Sequence, residues 1–533
     1  MTPSASATFR DSLRTSAVFL LFLEAVSFYG HLYPAFSNAA FFAAMALALV
    51  ISCVDLDLAA LLVMAELFVG SQGGYLVAFN NGHGLELSLR IGLFMVVSGV
   101  WTAVSILWSI QGGEALKKAL APWRAMHRFG IFVPYVAINL VVLFGLIRGL
   151  ALGNDFGNVF FDGNGYAFYG LMPVFVVALA SPKTRERVAG LLVAAVSLSV
   201  AKALLVLYVF SHRMQTAAPD LYTWIRDTRV GEITRMAGDY YRVFFQSHLY
   251  AAALFWIVLL GLAYSDRLKT GRAKMYAGLT VICMVGLILG LSRSFWFGAA
   301  VSALALAAIL LRYRVSIKIW KRLIAAGALS IVAATMLIVL FFSLPLPRKG
   351  ADISLAFLLG ERAFSLSDDA AHSRWALLPE LNKAITRHPL IGSGLGTTVT
   401  YATSDPRLLA DIPTGEYTTF AFEWGYHDIL VKFGLLGTLV YAWFIFAALR
   451  PLMSAVRDAA PALRSPSSDE KTALGAAALG TVIAVIGMLA TNLFSPYLNH
   501  PLGIGMLMIA ASLGIHGAFS SGVSSSTDPS KSG

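Results

Sequence analysis

Long apolar segments are the feature that most constrains what this chain can fold into. They recur from Ser16 to Phe519 in a sequence of 533 residues, so the apolar excess is not confined to one end. Hydrophobic residues make up 58% of the chain and charged residues 13%, whereas a soluble domain carries about 25% charged residues. These proportions exclude a soluble globular enzyme and predict an all-α polytopic membrane protein.

Segments of about 17 to 25 apolar residues predict about fourteen transmembrane helices. The predicted spans are 15–33, 36–53, 57–79, 90–110, 130–151, 164–181, 189–211, 247–264, 275–291, 294–311, 323–343, 424–448, 472–494 and 500–518. With a cytoplasmic N-terminus, most lysines and arginines of the connections fall on the cytoplasmic side, as the positive-inside rule requires. The net charge of +11 is therefore interpreted as orientation and contact with anionic membrane lipid, and not as binding to nucleic acid.

This topology divides the chain into five regions. They are an N-terminal transmembrane bundle (1–211), a transmembrane core (212–343), a large outer loop (344–422), C-terminal transmembrane helices (423–518) and a disordered Ser-rich tail (519–533). The large loop has apolar residues at helical spacing, namely Trp375, Leu378, Leu381 and Ile385. We expect an amphipathic helix there, capped by Ser367, kinked or split at Pro379, and lying over the outer membrane face.

The short outer segments carry arginine and no lysine. These arginines are Arg90, Arg148, Arg213, Arg226, Arg229, Arg235, Arg242 and Arg293. A guanidinium can form two parallel hydrogen bonds with a carboxylate or phosphate, so the bias favours an anionic ligand over a simple need for solvation. Arg293 joins two spans through a very short turn, and its charge needs either an anionic ligand or a lipid headgroup. If their segment is helical, Arg235 and Arg242 lie two turns apart and could bind one diphosphate.

Polar residues gather in four segments that the topology places on the outer side. They are RMAGDYYRVFFQSHLY (235–250), LSRSFWFG (291–298), HPLIGSGLG (388–396) and EWGYHDILVKFGLLG (423–437). Scattered polar residues would fall on both faces of the membrane, so this placement predicts a single outward-facing site. His248 belongs to the first segment, although a histidine at the end of a span is more often an interfacial residue with a satisfied ring.

Glu423 and His427 are the candidate general bases. They are four residues apart, which predicts that both lie on one helix face at the outer mouth of the twelfth span. A carboxylate between two aromatic side chains at such a mouth is suited to accept a proton. Asp428 and Lys432 have the same spacing and are interpreted as a structural pair, while Gly434 allows close helix packing.

Other chemistry is not supported by the sequence. The two cysteines lie inside apolar runs, and GSGLG at 392–396 lacks the spacing of a dinucleotide-binding loop. The outward His, Asp and Glu residues lack metal-ligand spacing, so we expect no metal and no cofactor. Glu66 and Lys202, inside spans, are interpreted as structural and not as transport residues.

Three of these segments together resemble the bacterial O-antigen ligase and polymerase superfamily. LSRSFWFG is similar to the family's Ser-Arg-Ser turn, SRWALLPELNKAITRHPLIGSGLG to its Arg-aromatic helix ending in Pro-Leu-hydrophobic-Gly-x-Gly, and EWGYHDILVKFGLLG completes the order. The resemblance covers about residues 230 to 445. It implies a GT-C-like, metal-independent, inverting glycosyltransferase of the bacterial inner membrane. Its active site would face the periplasm or cell exterior.

The resemblance also implies substrates and residue roles. The donor would be a glycan linked to undecaprenyl diphosphate, and the acceptor a hydroxyl of a glycan or glycolipid in cell-surface polysaccharide biosynthesis. Arg235 or Arg242, together with Arg293, would hold the diphosphate, and Arg374 and His248 complete the predicted substrate-binding set. The ligases carry a histidine eleven residues before the first glycine of their Gly-x-x-Gly, where this chain has Glu423. Either Glu423 replaces that histidine or His427 serves from one turn later, so ligase and polymerase remain equally open.

Two other function classes are compatible with the span count. A lipid-glycan flippase or other transporter should show internal repeats and a binding site at the membrane midplane, and the sequence has neither. A non-catalytic assembly protein would not need converging arginines. Both features favour the transferase interpretation.

Overall fold

The all-α polytopic class is confirmed by a computed structural model of the chain. It describes residues 3–71, 75–82, 86–214, 216–236, 240–265, 271–346, 360, 369–403, 409, 412, 414–464 and 470–517. Within these ranges, ten helices are long and apolar enough to cross a membrane. The tail at 519–533 and the proposed cap Ser367 lie outside the described residues.

Helices make up most of the described chain. The first nine are α1 (Pro3–Leu32), α2 (Pro34–Val54), α3 (Leu56–Val69), α4 (Leu89–Gln111), α5 (Gly113–Arg128), α6 (Phe132–Ala151), α7 (Phe156–Ala167), α8 (Met172–Ala178) and α9 (Pro182–Ser211). The next nine are α10 (Ala218–Asp227), α11 (His248–Ala263), α12 (Gly271–Leu289), α13 (Arg293–Arg312), α14 (Ile317–Ser343), α15 (Asp369–Arg387), α16 (Gly425–Leu463), α17 (Glu470–Thr491) and α18 (Pro501–Ile515).

Strands occur as three short antiparallel hairpins. Their strands are β1 (Ala78–Asn80) with β2 (Glu86–Ser88), β3 (Gly231–Arg235) with β4 (Tyr241–Phe245), and β5 (Val399–Ala402) with β6 (Glu416–Thr419). Each hairpin connects or follows helices at one end of the bundle, and it does not form a core of its own. The fold is therefore set by helix packing.

Two predicted spans are not continuous helices. The segment predicted as 57–79 is helical only to Val69, because the chain turns extended at Gly70, a residue type that commonly ends helices. The segment predicted as 164–181 is divided by a 3-10 helix, Phe168–Leu171, after which α8 begins at Met172 with Pro173 in its first turn. A glycine and a proline accompany these breaks, and a hydropathy pattern does not show the backbone preferences of these two residue types.

The core of the bundle lies around α11, which packs against α9, α12, α14 and α17. In the second half of the chain, α16 packs against α6, α17 and α18. Large apolar side chains are exposed on α1, α2, α13 and α14, where a bilayer would cover them. The starts of α11, α13 and α16, which carry three of the predicted site segments, meet the end of α17 and the residues that follow it.

The predicted amphipathic helix is present as α15, but it differs in two respects. It runs without interruption through Pro379, so the proline does not split it. Its buried face carries Leu377, Leu381 and Ala384, whereas Trp375 is 58% exposed. These buried side chains form a small cluster with Phe422, Trp424 and residues of α16 and β5. The helix thus packs onto the start of α16, with a face rotated from the predicted one.

Candidate functional site

The helix α16 is interrupted at Gly434. Its φ of 65° lies in the left-handed region, and the amides that follow lose their helical acceptors. Leu435 N donates to Pro389 O at 2.9 Å, and Leu436 N donates to Leu390 O at 3.0 Å. A Cβ at Gly434 would lie 2.5 Å from the backbone of Leu390. Glycine is required here, because a second chain segment fills the break.

That segment is residues 389–396, which we call the glycine loop. Its amides also donate hydrogen bonds to carbonyls of α16 that lose their helical partners at the break. Ser393 N lies 2.7 Å from Val431 O, and Gly394 N lies 3.0 Å from Lys432 O. All three loop glycines have φ between 71° and 83°, which a side chain would strain. The GSGLG sequence therefore belongs to the segment that fills the break in α16, and it is not a nucleotide-binding loop.

Helices α6 and α7 hold the other side of the glycine loop. Arg148 Nε donates to Gly392 O at 2.6 Å, and Leu395 N donates to Gly145 O at 2.9 Å. Asn154 Nδ2 donates to Leu395 O at 2.8 Å. Arg148 is one of the outer arginines considered above for an anionic ligand, and it binds a backbone carbonyl instead.

A buried ion cluster lies directly below the glycine loop. Lys432 Nζ is 2.6 Å from Asp162 Oδ1 of α7 and 2.5 Å from Asp428 Oδ1, so the predicted pair of Asp428 and Lys432 is confirmed and enlarged. Asn499 Nδ2 donates to Asp428 Oδ2 at 3.0 Å, and Gly396 N donates to Asp162 Oδ2 at 2.9 Å. The carboxylates therefore fix both the loop and α16 through charge-assisted hydrogen bonds.

Glu423 and Arg374 form an ion pair at the start of α16. Arg374 Nε donates to Glu423 Oε2, and the two side chains remain 42% and 52% exposed. Trp424 Nε1 donates to Arg374 O at 2.8 Å, which fixes α15 against α16. Because α16 begins at Gly425, Glu423 precedes the helix and does not share a helix face with His427, contrary to the prediction.

His427 lies in the first turn of α16. Its ring packs edge-on against Trp424, with 5.8 Å between ring centroids, and its side chain is half-buried. The Nδ1 atom is buried and has no hydrogen-bond partner among the described residues. The His427 ring, with an unused nitrogen, and the exposed carboxylate of Glu423 are therefore two possible proton acceptors at the start of α16.

The segment carrying Arg235 and Arg242 is a hairpin, so the helical arrangement considered for it is wrong. Arg235 pairs with Tyr241, and Thr234 pairs with Arg242, which puts the two arginines on opposite faces of the strands. Arg242 Nε donates to Gly290 O at 2.8 Å, close to the turn that carries Arg293. Arg235 is exposed on the other face. Of the two, Arg242 is the one that lies beside the Arg293 turn.

His248 lies beneath this hairpin. It is only 1% exposed, with its ring packed edge-on against Phe244 and Phe245. Neither ring nitrogen has a hydrogen-bond partner among the described residues. This burial places His248 behind the surface that carries Arg242, and not on an open surface.

Arg293 is the first residue of α13 and is half-buried. The neighbouring Ser294 accepts a hydrogen bond from Ser495 Oγ at 2.9 Å, in the connection between α17 and α18. In the same connection, Tyr497 Oη lies 3.3 Å from Gln246 Oε1, and burial raises the pKa of this tyrosine far above its usual range. Tyr497 is therefore a neutral donor that holds the end of β4.

Aromatic contacts also connect the predicted site segments. Phe494 lies 5.5 Å from Phe297 of α13 and 5.4 Å from Trp424, measured between ring centroids. The 235–250, 291–298 and 423–437 segments are thus joined through the α17–α18 connection, and the 388–396 segment contacts the last of these directly. Of the predicted site residues, Arg374 and Glu423 touch directly.

Sequence reasoning missed the part played by Asp162, Arg148 and Asn154. The signal for Asp162 was available, since a carboxylate beside an apolar span needs a buried partner. Glu66 and Lys202, interpreted as structural residues, each have an ion-pair partner: Arg90 Nε lies 2.7 Å from Glu66 Oε2, and Lys202 Nζ lies 2.9 Å from Glu24 Oε1. No group of three or more His, Cys, Asp or Glu side chains suited to a metal occurs within the described ranges.

Comparison with known proteins gives one family match. A family model described as O-antigen ligase matches residues 278–442. No curated protein matches the chain. The matched range runs from α12 through the start of α16, so it contains the Arg293 turn, α15, the glycine loop and the ion pair of Arg374 with Glu423.

Proposed function

We propose that this protein, whose residues 278–442 match the O-antigen ligase family model, is a glycan transferase of the bacterial inner membrane. It would move a glycan from undecaprenyl diphosphate to a sugar hydroxyl of a glycan or glycolipid acceptor. The site would face the periplasm or cell exterior and serve cell-surface polysaccharide biosynthesis.

The observation that carries this proposal is the ion pair of Arg374 with Glu423 inside the matched range. In this pair, a predicted substrate-binding residue and a predicted base are in direct contact at an exposed mouth. Arg242 and Arg293 are linked to the same mouth through Gly290 and the α17–α18 connection. An exposed surface with guanidinium groups and a proton acceptor suits a diphosphate leaving group.

The proposed reaction is one displacement at the anomeric carbon of the lipid-linked sugar. The acceptor oxygen forms a bond to C1 while the bond from C1 to the diphosphate oxygen breaks, which inverts the configuration. The base takes the acceptor proton, and undecaprenyl diphosphate leaves with the electron pair. Arg242, Arg293 and Arg374 would stabilise the negative charge that develops on the leaving group.

The ion pair offers a way to couple donor binding to catalysis. While Arg374 Nε donates to Glu423 Oε2, that carboxylate oxygen is occupied by the guanidinium. A diphosphate that competes for Arg374 would free this oxygen to accept the proton of the acceptor hydroxyl. His427 is the alternative base, since its Nδ1 has no partner among the described residues and its ring lies in the first turn of α16.

A transfer assay with purified protein tests this proposal. Protein in nanodiscs receives a synthetic undecaprenyl-diphosphate oligosaccharide and acceptor glycan, and both lipid release and product length are followed. Wild-type protein should release lipid, and extension of the glycan by whole donor units would identify a polymerase. Arg374→Gln should lose most of this turnover, whereas Arg387→Gln, an exposed arginine on the same helix, should retain it. Equal turnover in the two variants would contradict the role of Arg374.

A further inference from the structure

A lateral apolar groove lies on the bundle surface, away from the candidate site. Helix α9 packs against both α1 and α12, and it forms the floor between them. The groove has a volume of about 460 Å³ and is lined by Leu13, Leu21, Val193, Ala201, Met275 and Ile282, among others. This volume falls in the range of known ligand pockets, about 300 to 1,000 Å³.

The length of the groove matches one leaflet of a bilayer. On α1 it extends from Leu13 to Leu21, and on α9 from Val193 to Ala201. Eight residues of helix rise about 12 Å, and half of a hydrocarbon core is about 15 Å. The predicted spans 15–33, 189–211 and 275–291 line the groove mainly with their first halves, so the groove lies nearer the end at which these spans begin.

Basic side chains surround that end of the groove. Arg10 and Arg14 precede the lining residues Leu13 and Ala17 by three positions on α1, and both are exposed. On α12, Arg272 and Lys274 immediately precede Met275 and are exposed as well. Residues three or four apart share a helix face, so the two α1 arginines lie on the same face of α1 as the groove-lining residues.

The third helix adds to this charge. Arg187 of α9 lies two turns before the lining residue Ala194, and its backbone carbonyl accepts a hydrogen bond from Ser12 Oγ at 3.1 Å. The groove end thus has five basic residues, namely Arg10, Arg14, Arg187, Arg272 and Lys274. Two acidic residues, Asp11 and Glu186, lie in the same turns, so the net charge of these seven residues is +3.

We propose that this groove is a binding site for an anionic phospholipid. One acyl chain would lie along α9 between α1 and α12, and the phosphate would lie among the basic residues at the groove end. Charge complementarity selects an anionic headgroup, because basic side chains beside an apolar site bind negatively charged lipid. The inference does not rest on the proposed transferase activity, since none of these residues belongs to the candidate site.

Two sets of variants separate the headgroup from the chain. Arg10→Gln, Arg14→Gln, Arg272→Gln and Lys274→Gln together remove four charges at the groove end. The matched control removes four exposed charges at a connection without the groove, through Arg312→Gln, Arg314→Gln, Lys318→Gln and Lys321→Gln. Gly278→Phe fills the groove, because a Cβ at Gly278 meets no atom within 4 Å. Ala201→Phe fills it from α9, where the side chain is exposed.

The measurement is lipid retention by native mass spectrometry, with the full chain exchanged into phosphatidylglycerol or phosphatidylcholine of identical acyl chains. One basic residue near an anionic headgroup changes affinity roughly fivefold, so the four-charge variant should lose at least about tenfold affinity for phosphatidylglycerol. The control set should retain wild-type affinity. Gly278→Phe and Ala201→Phe should lose retention of the bound lipid, and thermal unfolding without lipid shows whether each variant is folded.

Several outcomes would overturn the proposal. Equal retention of the two lipids, or an equal loss in the groove set and the control set, would show that the groove has no anionic site. Unchanged retention in both folded Phe variants would show that no acyl chain occupies the groove. A dimer that dissociates in these variants would make a second copy of the chain the occupant instead.

Discussion

Lys432 of α16 and Asp162 of α7 are 270 residues apart in the chain, yet Lys432 Nζ lies 2.6 Å from Asp162 Oδ1. Both side chains are less than 5% exposed. Asp428 contributes a second carboxylate to the same lysine. The cluster joins the two halves of the chain directly below the glycine loop, so the geometry of the mouth depends on it.

Loss of the lysine should therefore destabilise the protein strongly. Lys432→Met leaves two neighbouring buried carboxylates without a counter-charge, and removal of one partner of a buried pair costs about 3 to 5 kcal/mol. Lys117→Met breaks an exposed pair with Glu114 and should cost roughly 0 to 1 kcal/mol. Reversible unfolding in detergent measures both. A similar small cost for the two variants would show that the cluster does not hold α7 and α16 together.

The break in α16 gives a second prediction. Gly434→Ala places a Cβ 2.5 Å from the glycine loop and forces alanine into a left-handed conformation, so it should lower stability by at least about 2 kcal/mol. It should also lower activity, because the glycine loop follows α15, which carries Arg374. Gly327→Ala in α14 has open space around its Cβ and should be neutral or slightly stabilising. Thermal unfolding of both variants decides whether the loop fills the break in solution.

The sequence predicted more of the fold than of the site. Hydropathy alone indicates where the spans lie, because the bilayer demands apolar length and little else. The break at Gly434 could not be predicted in this way, since it depends on a partner segment 40 residues earlier in the chain. The hairpin of Arg235 and Arg242 was missed because apolar and polar residues in this short segment fit either period. The ion pair of Arg374 with Glu423 is a tertiary contact, and single-helix spacing does not reveal it.

The identity of the base is the third prediction. Glu423→Gln keeps the shape of the side chain but cannot accept a proton, so turnover should fall by about a hundred to ten thousandfold without weaker donor binding. His427→Gln should cost less. Glu380→Gln on α15, whose partner Lys383 is exposed, serves as the control and should retain activity. Steady-state turnover on the lipid-linked donor separates the two bases, and a dead His427→Gln beside an active Glu423→Gln would reverse the assignment.

The fourth prediction is that turnover survives chelation. The proposed charge stabilisation is supplied by arginines, so EDTA should leave lipid release within about twofold of the untreated rate. Lipid release is measured before and after dialysis against EDTA, and then with added magnesium or manganese. Activity that is lost with EDTA and restored only by a divalent cation would refute arginine-only catalysis. The acidic residues Asp368 and Asp369 of the large loop would then be the first candidates for ligands.

The central claim is that outward arginines hold a diphosphate leaving group, and Arg293→Lys tests it most directly. Lysine keeps the charge but cannot form two parallel hydrogen bonds, so lipid release from undecaprenyl-diphosphate glycan should fall by about a hundredfold or more. Arg312→Lys, at the other end of α13, should behave as wild type and shows that the helix tolerates the exchange. Near-normal turnover of folded Arg293→Lys would contradict the account, because Arg293 would then be a lipid-headgroup contact and not part of a donor site.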